Sequence, residues 1–219
     1  MNRIIAIFAE RKQKLLWMAV YMVVWCALIP FFRYEMSPDG ISYFSVAQKY
    51  AHFDFYHAVN AYWGPLISWL LVPFLWLQIP VLVAARILQV ALGALIMLLA
   101  ESFIRKHTER KLLYVSAMIG VTSLTLWVSL IYFSTDILFL LLSLLFLHLT
   151  DKSRIYRSTS WLYIGLTGAA LYLCKAYGLP FFAAAFILIL IKEFLSEKKM
   201  RKQLIRTGVR ALIVFAALS

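Results

Sequence analysis

Charged side chains are scarce in this 219-residue chain, and acidic ones are the scarcest. Asp and Glu number 10 against 22 Lys and Arg, charged residues make up 15% of the chain, and hydrophobic residues make up 63%. Soluble domains average about 25% charged and about 45–50% apolar residues, so the composition excludes an ordinary soluble domain and predicts an integral membrane protein. The net charge is +12, but the basic residues lie between apolar segments, where they set the membrane orientation. Nucleic-acid binding is therefore not expected.

Cysteine and the common catalytic motifs are also sparse or missing. Cys26 and Cys174 have no metal-binding or redox spacing, are interpreted as small buried apolar residues, and are not expected to form a disulfide. The sequence has no glycine-rich phosphate loop, no nucleophile elbow and no H-E-x-x-H motif. These absences argue against ATPases, serine hydrolases and zinc proteases.

Long apolar runs are the main positive feature. A membrane-spanning helix needs about 20 mostly apolar residues. The predicted spans are 15–33, 80–103, 112–133, 135–150, 159–174 and 178–194, with a seventh starting near Val209. The first is interpreted as a retained signal anchor, because no A-x-A cleavage site follows it. The seventh reaches Ser219 after too few residues to cross, which predicts a fragment of a longer protein or a truncated product.

The distribution of basic residues predicts the orientation. All of the Lys and Arg residues except Arg33, Lys49, Arg86 and Lys175 fall before the first span or in every second connection after it. Basic residues concentrate on the cytoplasmic side of membrane proteins. The N-terminus is therefore predicted to be cytoplasmic, and residues 34–79 to form an extracytoplasmic loop.

Two helices are predicted in this loop. The first is Gly40–Ala51, with Asp39 as its N-cap, and the second is Leu66–Leu77, lying along or dipping into the outer leaflet. The fold class is thus an all-α polytopic transmembrane helix bundle with amphipathic juxtamembrane helices in the outer loop. Residues 1–219 are predicted to form one transmembrane module.

Two acids on the predicted outer side are candidates for chemistry. Asp39 lies in a Ser-Pro-Asp-Gly turn, where it is either only a helix cap or also a general base at the membrane surface. Asp136 opens the fourth span, either as a helix-start acid favoured by the dipole or as a functional acid facing a wet cavity. The topology predicts that both lie on the same face.

Cations and aromatic residues on that side complete the candidate set. Lys175 and Arg86 either extend towards lipid headgroups or hold a lipid phosphate. Trp63, in a Tyr-Trp-Gly-Pro cluster, is either an interfacial anchor or a stacking surface for a sugar. His52 and His57 do not share a helix face, so a zinc site is not favoured.

The order and sidedness of these motifs resemble a known family. The motifs are Asp39–Tyr43, Trp63–Leu70, Ala84–Ile87, Tyr132–Asp136 and the run Gly165, Ala170, Lys175. Together they resemble the N-terminal half of the GT-C superfamily glycosyltransferases, which include protein O-mannosyltransferases and lipid A aminoarabinose transferases.

The resemblance implies an inverting transfer of a sugar from a polyprenyl-phosphate carrier to a lipid, glycan or protein acceptor. Asp39 falls at the family's catalytic aspartate, Asp136 at its second outer-face acid, and Lys175 near the carrier phosphate. Arg86 is expected to assist Lys175, and Tyr43 and Trp63 to contact the substrate. Gly40 follows the loop aspartate where many relatives carry a second acid, so a divalent metal stays open and no other cofactor is expected. The location implied is the cell (inner) membrane, with the active face extracytoplasmic.

Two other interpretations stay open. A transporter or lipid flippase module would also be polytopic, but paired inverted repeats and helices broken near the midplane are not visible in the sequence. In a non-catalytic membrane scaffold, Asp39 and Asp136 would be helix caps only.

Overall fold

The chain is all-helical wherever its structure is described. The computed structural model describes residues 2–59, 62–151, 155–196 and 200–219, and within them there are ten α-helices and no strand. They are α1 (Asn2–Phe32), α2 (Pro38–Ala51), α3 (Phe55–Ala58), α4 (Leu66–Trp76), α5 (Val81–His107), α6 (Lys111–Ile131), α7 (Asp136–Leu149), α8 (Ser160–Cys174), α9 (Gly178–Ser196) and α10 (Arg201–Leu218). The predicted all-α class is confirmed.

Within the residues that the structure describes, four helices are long and apolar enough to cross a membrane, so this is a membrane protein. They are Arg11–Phe32, Val81–His107, Lys111–Ile131 and Gly178–Ser196. They correspond to the first, second, third and sixth predicted spans. The fourth and fifth correspond to α7 and α8, of 14 and 15 residues. At 1.5 Å per residue these cover only about 21–23 Å of a hydrocarbon core about 30 Å thick, so their crossing stays a prediction.

Several predicted helix boundaries differ from the structure by one or more residues. The helix α2 begins at Pro38 rather than Gly40, and α4 ends at Trp76. The last helix begins at Arg201, well before the predicted start near Val209. The start near Val209 was predicted from hydropathy, which marks only the apolar part of α10. The basic first half of the helix is helical as well.

The chain divides into two compact units. The first unit comprises Met1–Val59 and Ser68–Leu141, and the second comprises Asn60–Ile67 and Leu142–Ser219. Four basic residues that the sequence analysis counts as cytoplasmic, namely Lys152, Arg154, Lys198 and Lys199, lie outside the described residues.

The core of the first unit lies where α1, α5 and α6 pack against one another. The side chain of Tyr21 is fully buried and its hydroxyl donates to Ser129 Oγ at 3.2 Å, which ties α1 to α6. Its ring occupies the space where Gly93 of α5 has no side chain. A glycine is required there because any Cβ would overlap the phenol.

One end of this core contains a buried acid. Glu101 is fully buried and accepts hydrogen bonds from Arg105 and, at 3.3 Å, from the Tyr114 hydroxyl. The indole of Trp17 donates to the same hydroxyl at 3.0 Å. Both hydrogen bonds reach Oε1 and offset part of the lost hydration, whereas Oε2 has no hydrogen-bond partner among the described residues.

The second unit is built on α8, which packs against α9 and α10. Phe182 is its central side chain, with ring centroids 4.7 Å from Phe215 and 5.3 Å from Phe186. Each such aromatic pair contributes about 0.5–1.5 kcal/mol beyond area burial. Gly168 of α8 leaves room for the Phe182 ring.

Both cysteines are free thiols. Cys174 is buried, as the sequence indicated, whereas Cys26 is exposed. The interpretation of Cys26 as a buried residue is wrong because it lies on an outward face of α1.

Candidate functional site

The first turn of α2 carries the exposed carboxylate of Asp39. Asp39 was predicted as the N-cap, and this is wrong, because Ser37 occupies that position and its Oγ accepts a hydrogen bond from the Gly40 N–H at 3.1 Å. Pro38 follows at the first helical position, where its fixed φ suits the helix. Asp39 is thus inside the helix, where the dipole stabilises its negative charge. Within the described residues its side chain has no hydrogen-bond or ion-pair partner.

This turn is fastened to the loop between α6 and α7. The Ser37 hydroxyl donates to the Phe133 carbonyl oxygen at 2.9 Å. A Cβ on Gly40 would stand 3.1 Å from the same oxygen, so the backbone at Gly40 approaches the loop closely. The rings of Phe44 and Phe133 pack with centroids 4.8 Å apart. These contacts fix the backbone on both sides of Asp39.

The same loop leads directly into Asp136, the first residue of α7. The Ser134 hydroxyl donates to Asp136 Oδ2 at 3.0 Å, and the carboxylate remains exposed. The Tyr43 hydroxyl of α2 donates to Thr135 Oγ1 at 3.4 Å. The loop therefore joins the two helical turns that carry Asp39 and Asp136.

Tyr43 itself is a packing residue. Its side chain is buried, with 5% of its surface exposed, and its carbonyl oxygen accepts a hydrogen bond from Ser68 Oγ at 3.0 Å. The predicted contact between Tyr43 and substrate therefore has no support in the position of its ring. Its role is to hold α2 in place.

Arg86 is buried rather than extended towards the membrane surface. Only 8% of its surface is exposed. Its Nη2 donates to the carbonyl oxygens of Phe32 and Glu35 at 2.6 and 2.7 Å, and its Nη1 donates to that of Leu130 at 2.9 Å. The last carbonyls of a helix lack intrahelical partners, and here one guanidinium satisfies those at the ends of α1 and α6. These bonds engage both terminal nitrogens, which favours a positioning role over phosphate binding.

Gln89 extends this arrangement by one turn of α5, and the sequence analysis missed it. It is fully buried, its Oε1 accepts from Arg86 Nη1 at 3.2 Å, and its Nε2 donates to the Tyr132 carbonyl oxygen at 2.7 Å. The i, i+3 spacing of an arginine and an amide in an apolar span was the available signal. Together Arg86 and Gln89 hold the chain segments that lead to Asp39 and Asp136.

The second unit contains the other two predicted residues, Trp63 and Lys175. Gly64 lies so close to the carbonyl oxygens of Leu173 and Cys174 that a Cβ there would overlap them. The loop carrying Trp63 therefore packs on the end of α8, directly before Lys175. Lys175 is half-buried, with its ammonium 5.9 Å from the centroid of the Tyr177 ring. The meeting of Lys175 with Asp39 and Asp136 stays a prediction.

An aromatic cleft lies at the other end of α2, and the sequence analysis did not identify it. Its volume is about 390 Å³. The lining residues are Tyr50, Phe53, Phe55, Trp69, Val72, Pro73 and Trp76. Because Tyr50 follows Asp39 by eleven residues of α2, this cleft is about 16 Å along the helix from Asp39. It is therefore separate from the two carboxylates.

A metal centre needs several His, Cys, Asp or Glu side chains close together. Within the described residues, no three His, Cys, Asp or Glu side chains are grouped so as to hold a metal ion. His57 instead pairs with Asp54, whose Oδ1 lies 2.8 Å from His57 Nδ1. This hydrogen bond lowers the pKa of Asp54 below its ordinary value of 3.8. No step of a reaction is assigned to a metal.

Comparisons with known proteins identify no family for this chain. No family model, no curated protein and no solved structure shows a significant match to it.

Proposed function

We propose that this protein is a membrane glycosyltransferase of the GT-C type. It transfers a sugar from a polyprenyl-phosphate carrier to an acceptor hydroxyl, with inversion, at the extracytoplasmic face of the cell membrane. The orientation rests on the basic residues, which leave the segment 34–79 outside.

The observation that carries this proposal is the junction of two acid-bearing helix starts. Asp39 and Asp136 are both exposed, each in the first turn of its helix, and the Ser37–Phe133 and Tyr43–Thr135 hydrogen bonds join these turns. Two exposed carboxylates on a rigid support suit proton removal from a hydroxyl. If the two acids served only to stabilise their own helix starts, the two turns would not need to be joined.

In the proposed reaction Asp39 is the general base. Its carboxylate takes the proton of the acceptor hydroxyl while the oxygen attacks the anomeric carbon from the face opposite the carrier. The bond between the anomeric carbon and the phosphate oxygen breaks, and polyprenyl phosphate leaves with the electron pair. Asp136 orients the acceptor, Lys175 offsets the charge on the phosphate, and Trp63 stacks on the sugar.

Replacing Asp39 with Asn tests the proposal. The assay uses the protein in native membranes, with a polyprenyl-phosphate hexose as donor and the membrane glycolipids as acceptor. Loss of a general base should lower the transfer rate by about 10²–10⁴-fold. The matched control is Glu35→Gln, since Glu35 is exposed nearby and only its main chain bonds to Arg86.

Two outcomes would contradict the proposal. If Asp39→Asn leaves the transfer rate unchanged, Asp39 is not the general base. The scaffold interpretation, in which Asp39 only stabilises the start of a helix, would then be favoured. Mass spectrometry of copurified lipids gives a second measurement, in which polyprenyl phosphate should accompany both the original protein and the Asp39→Asn variant. Its absence from both would favour a protein without a lipid-carrier site.

A further inference from the structure

A basic cleft in the second unit has features of an anion-binding site. Its volume is about 210 Å³. It is lined by Arg157, Ser158, Trp161, Gln203, Arg206, Thr207 and Arg210. Among the described residues, the lining includes three arginines and no acid. Liquid water takes about 30 Å³ per molecule, so the cleft has room for several waters or for one phosphate group.

The spacing of the lining residues comes from the packing of two helices. Gln203, Arg206, Thr207 and Arg210 recur at i, i+3, i+4 and i+7, so they share one face of α10. The opposite wall is the turn with Arg157 and Ser158 together with Trp161 at the start of α8, where the helix dipole adds positive potential.

Close helix packing next to the cleft fixes its width. A Cβ on Gly165 would stand 2.6 Å from the Ala211 carbonyl oxygen, so α8 and α10 touch backbone to backbone there. The cleft opens beside this contact, one turn further towards the start of α8. The packing of α8 against α10 thus sets the distance between the two sides of the cleft.

Two side-chain contacts hold the cationic groups in position. The Arg210 guanidinium lies 5.7 Å from the centroid of the Trp161 ring. The Gln203 amide donates to the Tyr156 carbonyl oxygen at 2.6 Å, which holds the turn that carries Arg157. In the described part of the chain no salt bridge engages Arg157, Arg206 or Arg210. All three guanidinium groups are exposed, so an anion that enters the cleft can reach them.

We propose that this cleft binds a phosphate group. The planar, multidentate guanidinium suits phosphate oxygens, and the hydroxyls of Ser158 and Thr207 supply further donors. The phosphate belongs either to the headgroup of an anionic phospholipid or to a soluble phosphate compound. The exposed apolar residue Ile213 lies one turn beyond Arg210 on α10 and would accompany the acyl chains of a lipid.

The test measures the binding of both possible phosphate sources to the purified full chain. One arm compares retention of phosphatidylglycerol with that of phosphatidylcholine by native mass spectrometry. The other measures inorganic phosphate binding in detergent. The double variant Arg206→Gln/Arg210→Gln should lower binding by about tenfold or more in whichever arm detects it, since each lost charge-assisted contact is worth about that factor. The control, Lys202→Gln/Arg110→Gln, removes two exposed charges outside the cleft and should retain binding.

The outcomes separate the sources and decide the proposal. Selective retention of phosphatidylglycerol identifies a lipid headgroup, and binding of inorganic phosphate alone identifies a soluble ligand. No binding in either arm, or an equal loss in the control, would overturn the proposal. Should the double variant fail to fold, Arg157→Gln provides the same comparison, because that side chain is exposed and precedes α8.

Discussion

The hydroxyl of Ser37 donates a hydrogen bond to the carbonyl oxygen of Phe133 across 2.9 Å, joining positions 96 residues apart in the chain. The same oxygen atom of Ser37 accepts from Gly40 and caps α2. One side chain therefore starts the helix that carries Asp39 and attaches it to the loop that carries Asp136.

Ser37→Ala should loosen this junction. Loss of an N-cap costs about 0.5–2 kcal/mol, and loss of the bond to Phe133 adds about 1 kcal/mol. Hydrogen exchange should show faster exchange of the amides in the first turn of α2. Ser42→Ala is the control, because the Ser42 hydroxyl reaches only the Pro38 carbonyl oxygen, at 3.5 Å. Equal effects of the two variants would contradict the assigned role.

Arg86→Gln should lower the free energy of unfolding more than the removal of any exposed charge does. It leaves the carbonyl oxygens of Phe32, Glu35 and Leu130 without their partner, and an unsatisfied acceptor that is buried, as at Leu130, costs about 1–3 kcal/mol. Thermal unfolding in detergent should report the loss. The control is Arg110→Gln, because Arg110 is exposed and is expected to change stability by less than about 0.5 kcal/mol. An Arg86→Gln variant as stable as the control would show that the guanidinium is not a structural link.

Two glycines should respond in opposite directions to the same change. In Gly165→Ala the new Cβ meets the Ala211 carbonyl oxygen at 2.6 Å, so α8 and α10 must separate and stability should fall by about 1–3 kcal/mol. In Gly120→Ala the Cβ meets nothing within 4 Å. Because glycine is unfavourable in a helix interior, that change should stabilise α6 by about 0.5–1 kcal/mol. Unfolding measurements on the pair give both signs in one experiment.

The short helix α3 should depend on pH through Asp54. Asp54 caps it, accepting from the His57 N–H at 3.4 Å, and the hydrogen bond to the His57 ring lowers the Asp54 pKa below 3.8. A carboxyl whose pKa is lowered in the folded state stabilises it above the unfolded pKa, and the contribution disappears as the pH falls through the lowered value. Amide exchange of residues 57–59 should therefore accelerate, relative to its intrinsic rate, below about pH 3.8. In Asp54→Asn this pH dependence should vanish, and its persistence would contradict the assignment.

Local chemistry made part of the site predictable. The Ser-Pro-Asp-Gly sequence indicated a helix start near Asp39, and Ser-Thr-Asp indicated another at Asp136, because short polar side chains and proline have strong positional preferences at helix ends. The assignment of the cap to Asp39 instead of Ser37 shows the limit, since both residue types can cap and only the backbone geometry distinguishes them.

Hydropathy alone determined that this is an all-helical membrane protein, because a lipid-spanning backbone must satisfy its own hydrogen bonds. It could not determine the role of Arg86, since lipid headgroups, a phosphate and helix-end carbonyls all attract the same guanidinium. That choice required the ends of α1 and α6 to meet, and these lie far apart in sequence. The cleft formed by Arg157, Arg206 and Arg210 was likewise hidden, because the periodicity of one helix says nothing about which other helix faces it.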